Sequence, residues 1–177
     1  MLSVLCVLSA FLFYEWQTSK KQRRQAYDQL IRNTAARHAV SPHLIKAVVW
    51  RESNFRPLAV GKSGEIGLMQ ITVGAAEDWA GRHHRSLPPR GLLFNPRLNI
   101  EIGTWYLARA FHRWSDYRHT SILALAEYNA GPKQVHQWVP EDKRKNPLEE
   151  ISFPSTRKYI KAIQKRRDYY KNTATFN

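Results

Sequence analysis

An all-α, α-rich single domain is what this sequence predicts, and three observations carry the prediction. Apolar residues recur at three- and four-residue spacing through most of the chain. Period-two alternation, the mark of a half-buried strand, is scarce. Residues that start or stop helices punctuate these periodic stretches: Ser41-Pro42, Asn95-Pro96 and Gly131-Pro132. With 177 residues and 43% hydrophobic composition, the chain is long enough to bury one substantial core.

The chain opens with "MLSVLCVLSAFLFY", fourteen uncharged and mostly apolar residues. That suits a signal-peptide core and falls short of the roughly 20 residues that span a bilayer upright. No basic segment leads it, and Leu8-Ser9-Ala10 is a poor cleavage site because Leu8 is bulky. Residues 1–16 are therefore read as a signal peptide or short uncleaved anchor, with Tyr14 and Trp16 at the membrane interface. A buried N-terminal helix is the alternative. Residues 17–25 are polar and basic and read as a tether. Their "KKQRR" would be held on the cytoplasmic side, which opposes export unless another signal overrides it or the true start lies upstream. The folded domain is expected over 26–177.

Within that domain, a first helix over 26–38 aligns Tyr27, Leu30, Ile31 and Ala35. Ser41 then supplies an N-cap and Pro42 a first-turn proline for a helix ending near Ser53, with Leu44, Ile45, Val48 and Val49 inward. A glycine-bearing loop, 54–67, leads to "GLMQITVGAAEDWA", and 81–96 reads as loop. Asn95-Pro96 opens a helix with Leu98, Ile102, Tyr106 and Ala110 at helical spacing. Another helix runs from Thr120 to Ala130, stopped by Gly131-Pro132. The charged, proline-bearing stretch 140–150 is an exposed excursion, and a basic helix over 155–172 turns Tyr159, Ile160, Ile163 and Tyr170 inward.

Lys and Arg number 28 against 14 Asp and Glu, a net charge of +14. Such a surface prefers a polyanion: nucleic acid, an anionic membrane face or an acidic wall polymer. A lone cysteine, Cys6, excludes an intramolecular disulfide framework and a cysteine-built metal site. His83-His84 is not a metal pair, because adjacent helical side chains diverge and no His-Glu-x-x-His accompanies them. No metal or organic cofactor is expected. Trp105, Tyr106, Phe111 and Trp114 recur at helical spacing and are expected to pack in the core, whereas Trp50 and Trp138 stay open between packing and binding.

Chemistry concentrates at "VVWRESNFRP", residues 48–57. Glu52 follows Val48 by four residues and Val49 by three, so it shares the apolar face of its helix. It also occupies the last turn, facing the negative end of the helix dipole. Desolvation and dipole both disfavour the carboxylate and raise its pKa, which suits a general acid acting on a glycosidic oxygen. The other reading is a solvated glutamate at a helix end, paired with Arg51 or Arg56.

"WRESNFRPLAV", "GLMQI", "NPRLNIEIGTWYL", "LALAEYNAGP" and "FPSTRKYI" occur in that order. Together they resemble the lytic transglycosylases of the soluble-lytic-transglycosylase (SLT) type, over roughly residues 38–170. The resemblance implies a lysozyme-like fold and an enzyme acting on peptidoglycan glycan strands, with Glu52 catalytic and Ser53 supporting the helix end. It implies that Ser63, Gln70, Tyr128, Asn129 and Tyr159 meet substrate or shape its cleft, with Leu68 and Met69 packing beneath. It also implies one carboxyl serving as acid and then base, yielding a 1,6-anhydro sugar without a second carboxylate. An exported, periplasmic or envelope location and a monomer follow as expectations, with a membrane- or wall-spanning machinery as a possible associate and no nucleic acid. Gly61, Thr72-Val73, Asn95 and Ser155 depart from common family residues. Glu65 is expected as a solvated loop residue, against a role steering water; Glu127 either orients Tyr128 or a substrate amide, or lies in solvent. A hydrolytic muramidase and a silent wall- or DNA-binding module are the rival functions.

Overall fold

The structure, a computed structural model, describes Leu12, Tyr14, Glu15, residues 18–173 and Phe176. Most of the expected anchor, Trp16 included, lies outside the described residues. Among those described, no helix is long and apolar enough to cross a membrane. Residues 18–25, expected as a tether, are helical, and a turn at Ala26-Tyr27 separates them from the domain.

Seven α-helices build the domain among the described residues. Helix α1 (Asp28–His38) buries Ile31 and Ala35 and ends at Ala39, whose φ of 53° reverses the chain. Helix α2 (Pro42–Ser53) starts on Pro42; Ser41 stands at the N-cap, but its hydroxyl makes no capping bond, so proline's fixed φ sets this start. Helix α3 (Val73–Arg82) is capped by Thr72, which accepts from the Ala75 N–H. A 3-10 turn, Arg90–Phe94, interrupts the expected loop before α4 (Pro96–Arg113), whose cap Asn95 accepts from Arg97 and Leu98 N–H groups. Helix α5 (Thr120–Ala130) stops at Gly131, whose φ of 80° suits glycine. Helix α6 (Pro132–Trp138) follows, and a 3-10 turn at Pro147–Glu149 lies within the mostly exposed stretch 141–150. Helix α7 (Pro154–Asn172) begins one residue before its sequence-based start.

Helix α5 occupies the centre. Ile122 through Glu127 are all buried, so the middle of this helix is enclosed on every side, and that run is apolar except for Glu127. Helices α4, α6 and α7 surround it, α2 lies along α7, and α1 closes the bundle against α2 and α4. The inward stripe of α7 is Tyr159, Ile160, Ile163 and Tyr170, all buried. One buried cation went unread in the sequence: Lys46, 2% exposed. Its Nζ lies 2.5 Å from Asp28 Oδ1 and about 5 Å from the Tyr170 and Phe176 rings. Burial lowers its pKa, against the opposing pull of Asp28.

Candidate active site

Two consecutive left-handed residues, Asn54 (φ 50°) and Phe55 (φ 62°), end α2 directly after the "ES" pair. Such angles strain residues other than glycine and are held by their surroundings. Here Phe55 is wholly buried, and the Asn54 N–H donates to the Trp50 carbonyl. The reversal sends the chain through loop 54–72 and back beneath Glu52. Ser53 fixes the return: its buried hydroxyl donates to the Leu68 carbonyl at 2.8 Å. Isolated bridges Val60–Ile66 and Ile66–Ile71 tighten the loop.

Asn99, on α4, holds "GLMQ" from the other side. Its Oδ1 accepts the Met69 N–H at 2.7 Å, and its Nδ2 donates to the Ile66 and Leu93 carbonyls at 2.8 Å. Gly67 is required there twice over, having φ 79° and a backbone so close to Asn99 that a Cβ would collide with its amide. Leu68 and Met69 are fully buried beneath the loop.

Glu52 is enclosed by these elements. Tyr159 of α7 donates its hydroxyl proton to Glu52 Oε1 at 2.5 Å. The Arg51 guanidinium lies 5.4 Å from the Tyr159 ring centre. Burial is the largest influence on the Glu52 carboxyl; the Tyr159 hydrogen bond and Arg51 oppose it, and the charge of Glu65 reinforces it. The net result is a pKa raised to about 7. Tyr128 of α5 donates to the Met69 carbonyl at 2.8 Å. Burial, followed by the nearby Glu52 charge, lifts both tyrosine pKa values well above the ordinary range, so both hydroxyls remain donors.

Beside this cluster a cavity of about 230 Å³ is lined by Gln70, Tyr106, Tyr128 and Asn129 among others. The Gln70 side-chain nitrogen donates to the Ala59 and Gly67 carbonyls, leaving its amide oxygen as the free end. Asn129 accepts from the Thr156 hydroxyl at 2.9 Å, joining the end of α5 to the start of α7. Ser63 is exposed, its N–H donating to Glu65 Oε2 at 3.0 Å, and does not line this cavity.

The Transglycosylase SLT domain family matches residues 29–151. This chain belongs to that family. The chain is 30% identical over 164 residues to the soluble lytic murein transglycosylase of Salmonella typhimurium, covering 89% of this chain and 25% of that protein. It is 32% identical over 130 residues to the membrane-bound lytic murein transglycosylase C of Yersinia pestis, covering 70% of this chain and 36% of that protein. Among solved structures, lytic transglycosylase Slt of Pseudomonas aeruginosa, determined as an inactive glutamate-to-glutamine mutant, matches with a TM-score of 0.75 at 27% identity. That match covers 85% of this chain and 25% of the other. The 70-kDa soluble lytic transglycosylase in complex with bulgecin A also matches at 0.75, with 26% identity, covering 90% of this chain and 26% of that one. The chain thus spans between a quarter and about a third of the length of these relatives. The all-α, SLT-type lysozyme-like fold expected from the motifs is the fold of this domain.

Several side chains of the SLT domain depart from expectation. Glu65 is half-buried rather than solvated, and its charge is felt at Glu52. A side chain at Gly61 would collide with the Glu65 carboxylate and crowd the Gln70 amide oxygen, so glycine makes room for both. Glu127 neither orients Tyr128 nor meets solvent; it is fully buried, and its Oε2 accepts from Trp114 Nε1 at 2.7 Å and pairs with Arg113 Nε at 3.2 Å. Tyr106 lines the cavity instead of the core, while Trp114 is buried and Trp105 and Phe111 pack against the core. Trp50 is half-buried under the Arg166 guanidinium at 4.1 Å, and buried Trp138 donates to the Ser152 hydroxyl. His83 bonds the Trp79 carbonyl at 2.7 Å, and its ring lies tilted against Trp79 and edge-on to Trp105. Asn99 escaped notice in the sequence; its signal was a polar residue one turn into an otherwise apolar inward stripe.

Proposed function

We propose that this domain is a peptidoglycan lytic transglycosylase cleaving the β-1,4 bond between N-acetylmuramic acid and N-acetylglucosamine. The observation that carries the reading is the enclosed Glu52 carboxyl, raised to about 7 and held by the Tyr159 hydroxyl. An acid with that pKa keeps a substantial protonated fraction near neutrality and works equally well as a base once it has given the proton up. Glu52 protonates the glycosidic oxygen as its bond to the muramyl C1 breaks. The substrate's own acetamido oxygen stabilises the cationic carbon. The Glu52 carboxylate then removes the proton of the muramyl C6 hydroxyl as that oxygen bonds C1. The products are a 1,6-anhydromuramyl end and a free 4-hydroxyl on the departing sugar; no water is consumed.

Tyr159 steadies the carboxylate between the two proton transfers. Gln70, Tyr128 and Asn129 face the strand from the cavity wall and Ser63 from its exposed loop. Relatives named as murein transglycosylases, and an inactive glutamate-to-glutamine neighbour, support a one-glutamate lytic chemistry. The names of those relatives also support an envelope location. We take residues 1–16 as signal or membrane anchor, 17–25 as linker and 26–177 as the catalytic domain, exported and acting as a monomer on glycan strands, alone or beside a wall-spanning machinery.

Glu65 favours a second reading. Its charge acts on Glu52 from the rim, and a second carboxylate there would steer a water onto C1 and make the enzyme a hydrolytic muramidase. Digestion of purified sacculi with mass analysis decides: anhydro ends support the transglycosylase, reducing muramic acid ends the hydrolase. Unchanged lysis by Glu52→Gln removes Glu52 from the chemistry. Wall binding without lysis by the wild type leaves a non-catalytic module.

A further inference from the structure

A second groove, about 430 Å³, opens between α3 and α4 and is lined by Arg82, Trp105, Ala108, Arg109 and His112. It connects to the first cavity through a ladder of stacked side chains. Tyr128 and Tyr106 meet edge to face at 6.1 Å. The Arg109 guanidinium then lies 4.6 Å from the Tyr106 ring centre and 5.0 Å from that of Trp105. The Trp105 ring is half-buried and stiffened on its far side by His83.

The charges around this ring are mostly positive. Arg109 shares an Nη2 contact with Asp78 at 3.1 Å, yet its buried Nε has no partner. Arg82 and His112 are both exposed and line the same groove, and Arg85 lies over Trp79 nearby. Asp78 is the acidic group engaged here, so it offsets only part of the charge from Arg82 and Arg109. An aromatic face takes the apolar side of a pyranose, and a guanidinium beside it takes a carboxylate through a charge-assisted hydrogen bond.

Resting on the transglycosylase reading, we propose that this groove is a distal subsite for a glycan unit bearing a carboxylate, with the sugar on Trp105 and the acid on Arg82 and Arg109. That carboxylate is either the lactyl group of a muramyl unit or the acid of its attached peptide. The groove therefore selects wall glycan over uncharged chitin-type chains, a choice the Glu52 cluster alone does not make.

The test is binding, measured by calorimetry in full-length protein carrying Glu52→Gln so that nothing is cut. Three probes are compared: glycan strands with stem peptides, strands stripped by an amidase so that only lactyl carboxylates remain, and uncharged N-acetylglucosamine oligomers. Arg82→Glu, chosen because Arg82 is exposed and outside the core, is expected to weaken about tenfold or more whichever acidic probe carries the recognised carboxylate, and to spare the oligomers. Trp105→Ala is expected to weaken all three probes. If peptide carboxylates are the ligand, stripping alone reproduces the loss; if lactyl carboxylates are, the stripped strands, in which the amidase has freed them from their amide link, bind more tightly than the intact ones. An Arg82→Glu protein with unchanged melting temperature and unchanged affinity, or with equal loss on all three probes, overturns the proposal. Failure of the catalytic reading has a separate signature: the wild type does not lyse sacculi, whatever Arg82 does to binding.

Discussion

The Tyr159 hydroxyl lies 2.5 Å from Glu52 Oε1, although 107 residues separate them in the chain. The bond stabilises the charged carboxyl and so counteracts the burial that lifts its pKa. Tyr159→Phe removes that restraint. The Glu52 pKa then rises beyond about 7, the alkaline fall in activity moves to higher pH, and turnover at neutrality drops about tenfold. A pH–rate profile on purified sacculi measures both effects.

The wild-type profile has a defined sign. The first step needs protonated Glu52, so turnover should decline as pH rises through about 7. Stability follows the same proton. The folded chain retains it over a range where the unfolded chain, with an ordinary value near 4.5, has lost it. The contribution to stability is thus fully present below that value and is lost as pH rises toward about 7. Glu52→Gln should cancel the loss: its melting temperature exceeds wild type most above pH 7 and converges with it toward pH 4.

Asn99→Ala should be among the costliest polar substitutions in the domain. It leaves the Met69 N–H and the Ile66 and Leu93 carbonyls without their partner in a buried place. We expect a loss on the order of 3 kcal/mol or more, read from urea unfolding. Where the variant still folds, activity should fall further than stability does, because "GLMQ" loses its anchor beneath Glu52.

Gly67→Ala should act through the same joint. The added methyl collides with the Asn99 amide and is forced into a left-handed backbone at φ 79°. Thermal unfolding should show a loss of about 2 kcal/mol or more, whereas Gly81→Ala, where open space surrounds the new methyl, should be neutral or slightly stabilising.

The two partners of the buried Lys46–Asp28 pair should respond unequally. Asp28→Ala strands a cation that is 2% exposed and should cost roughly 3 kcal/mol. Lys46→Met keeps the volume, removes the charge and leaves Asp28 near water, so it should cost less than about 1 kcal/mol. Paired denaturation curves test the asymmetry.

Helix positions were legible because they depend on near neighbours: the Pro42 and Pro96 starts and the Gly131 stop are local chemistry. Glu52 was legible for the same reason, since four-residue spacing places it on an apolar face. The departures are polar residues whose partners lie far along the chain. Glu127 read as solvent-facing, or as orienting Tyr128 or a substrate amide, because nothing near it in sequence announces Trp114 and Arg113 as its partners. Glu65 looked solvated between glycines, yet Gly61 provides the space its carboxylate occupies. Ser41 suited a cap by residue type, but proline alone was sufficient. Tyr106 shares the period of the core residues, but its ring opens onto the cavity at the edge of the α4 face.

Helix α7 carries a timing consequence. It delivers Tyr159, and through Thr156 it grips the end of α5, so Glu52 gains its hydrogen-bond partner only when this last helix docks. A chain clipped before residue 154 lacks both the Tyr159 hydroxyl that holds Glu52 and the helix that packs along α2. Cleavage before residue 154 is therefore expected to silence Glu52, whatever remains of the rest of the bundle.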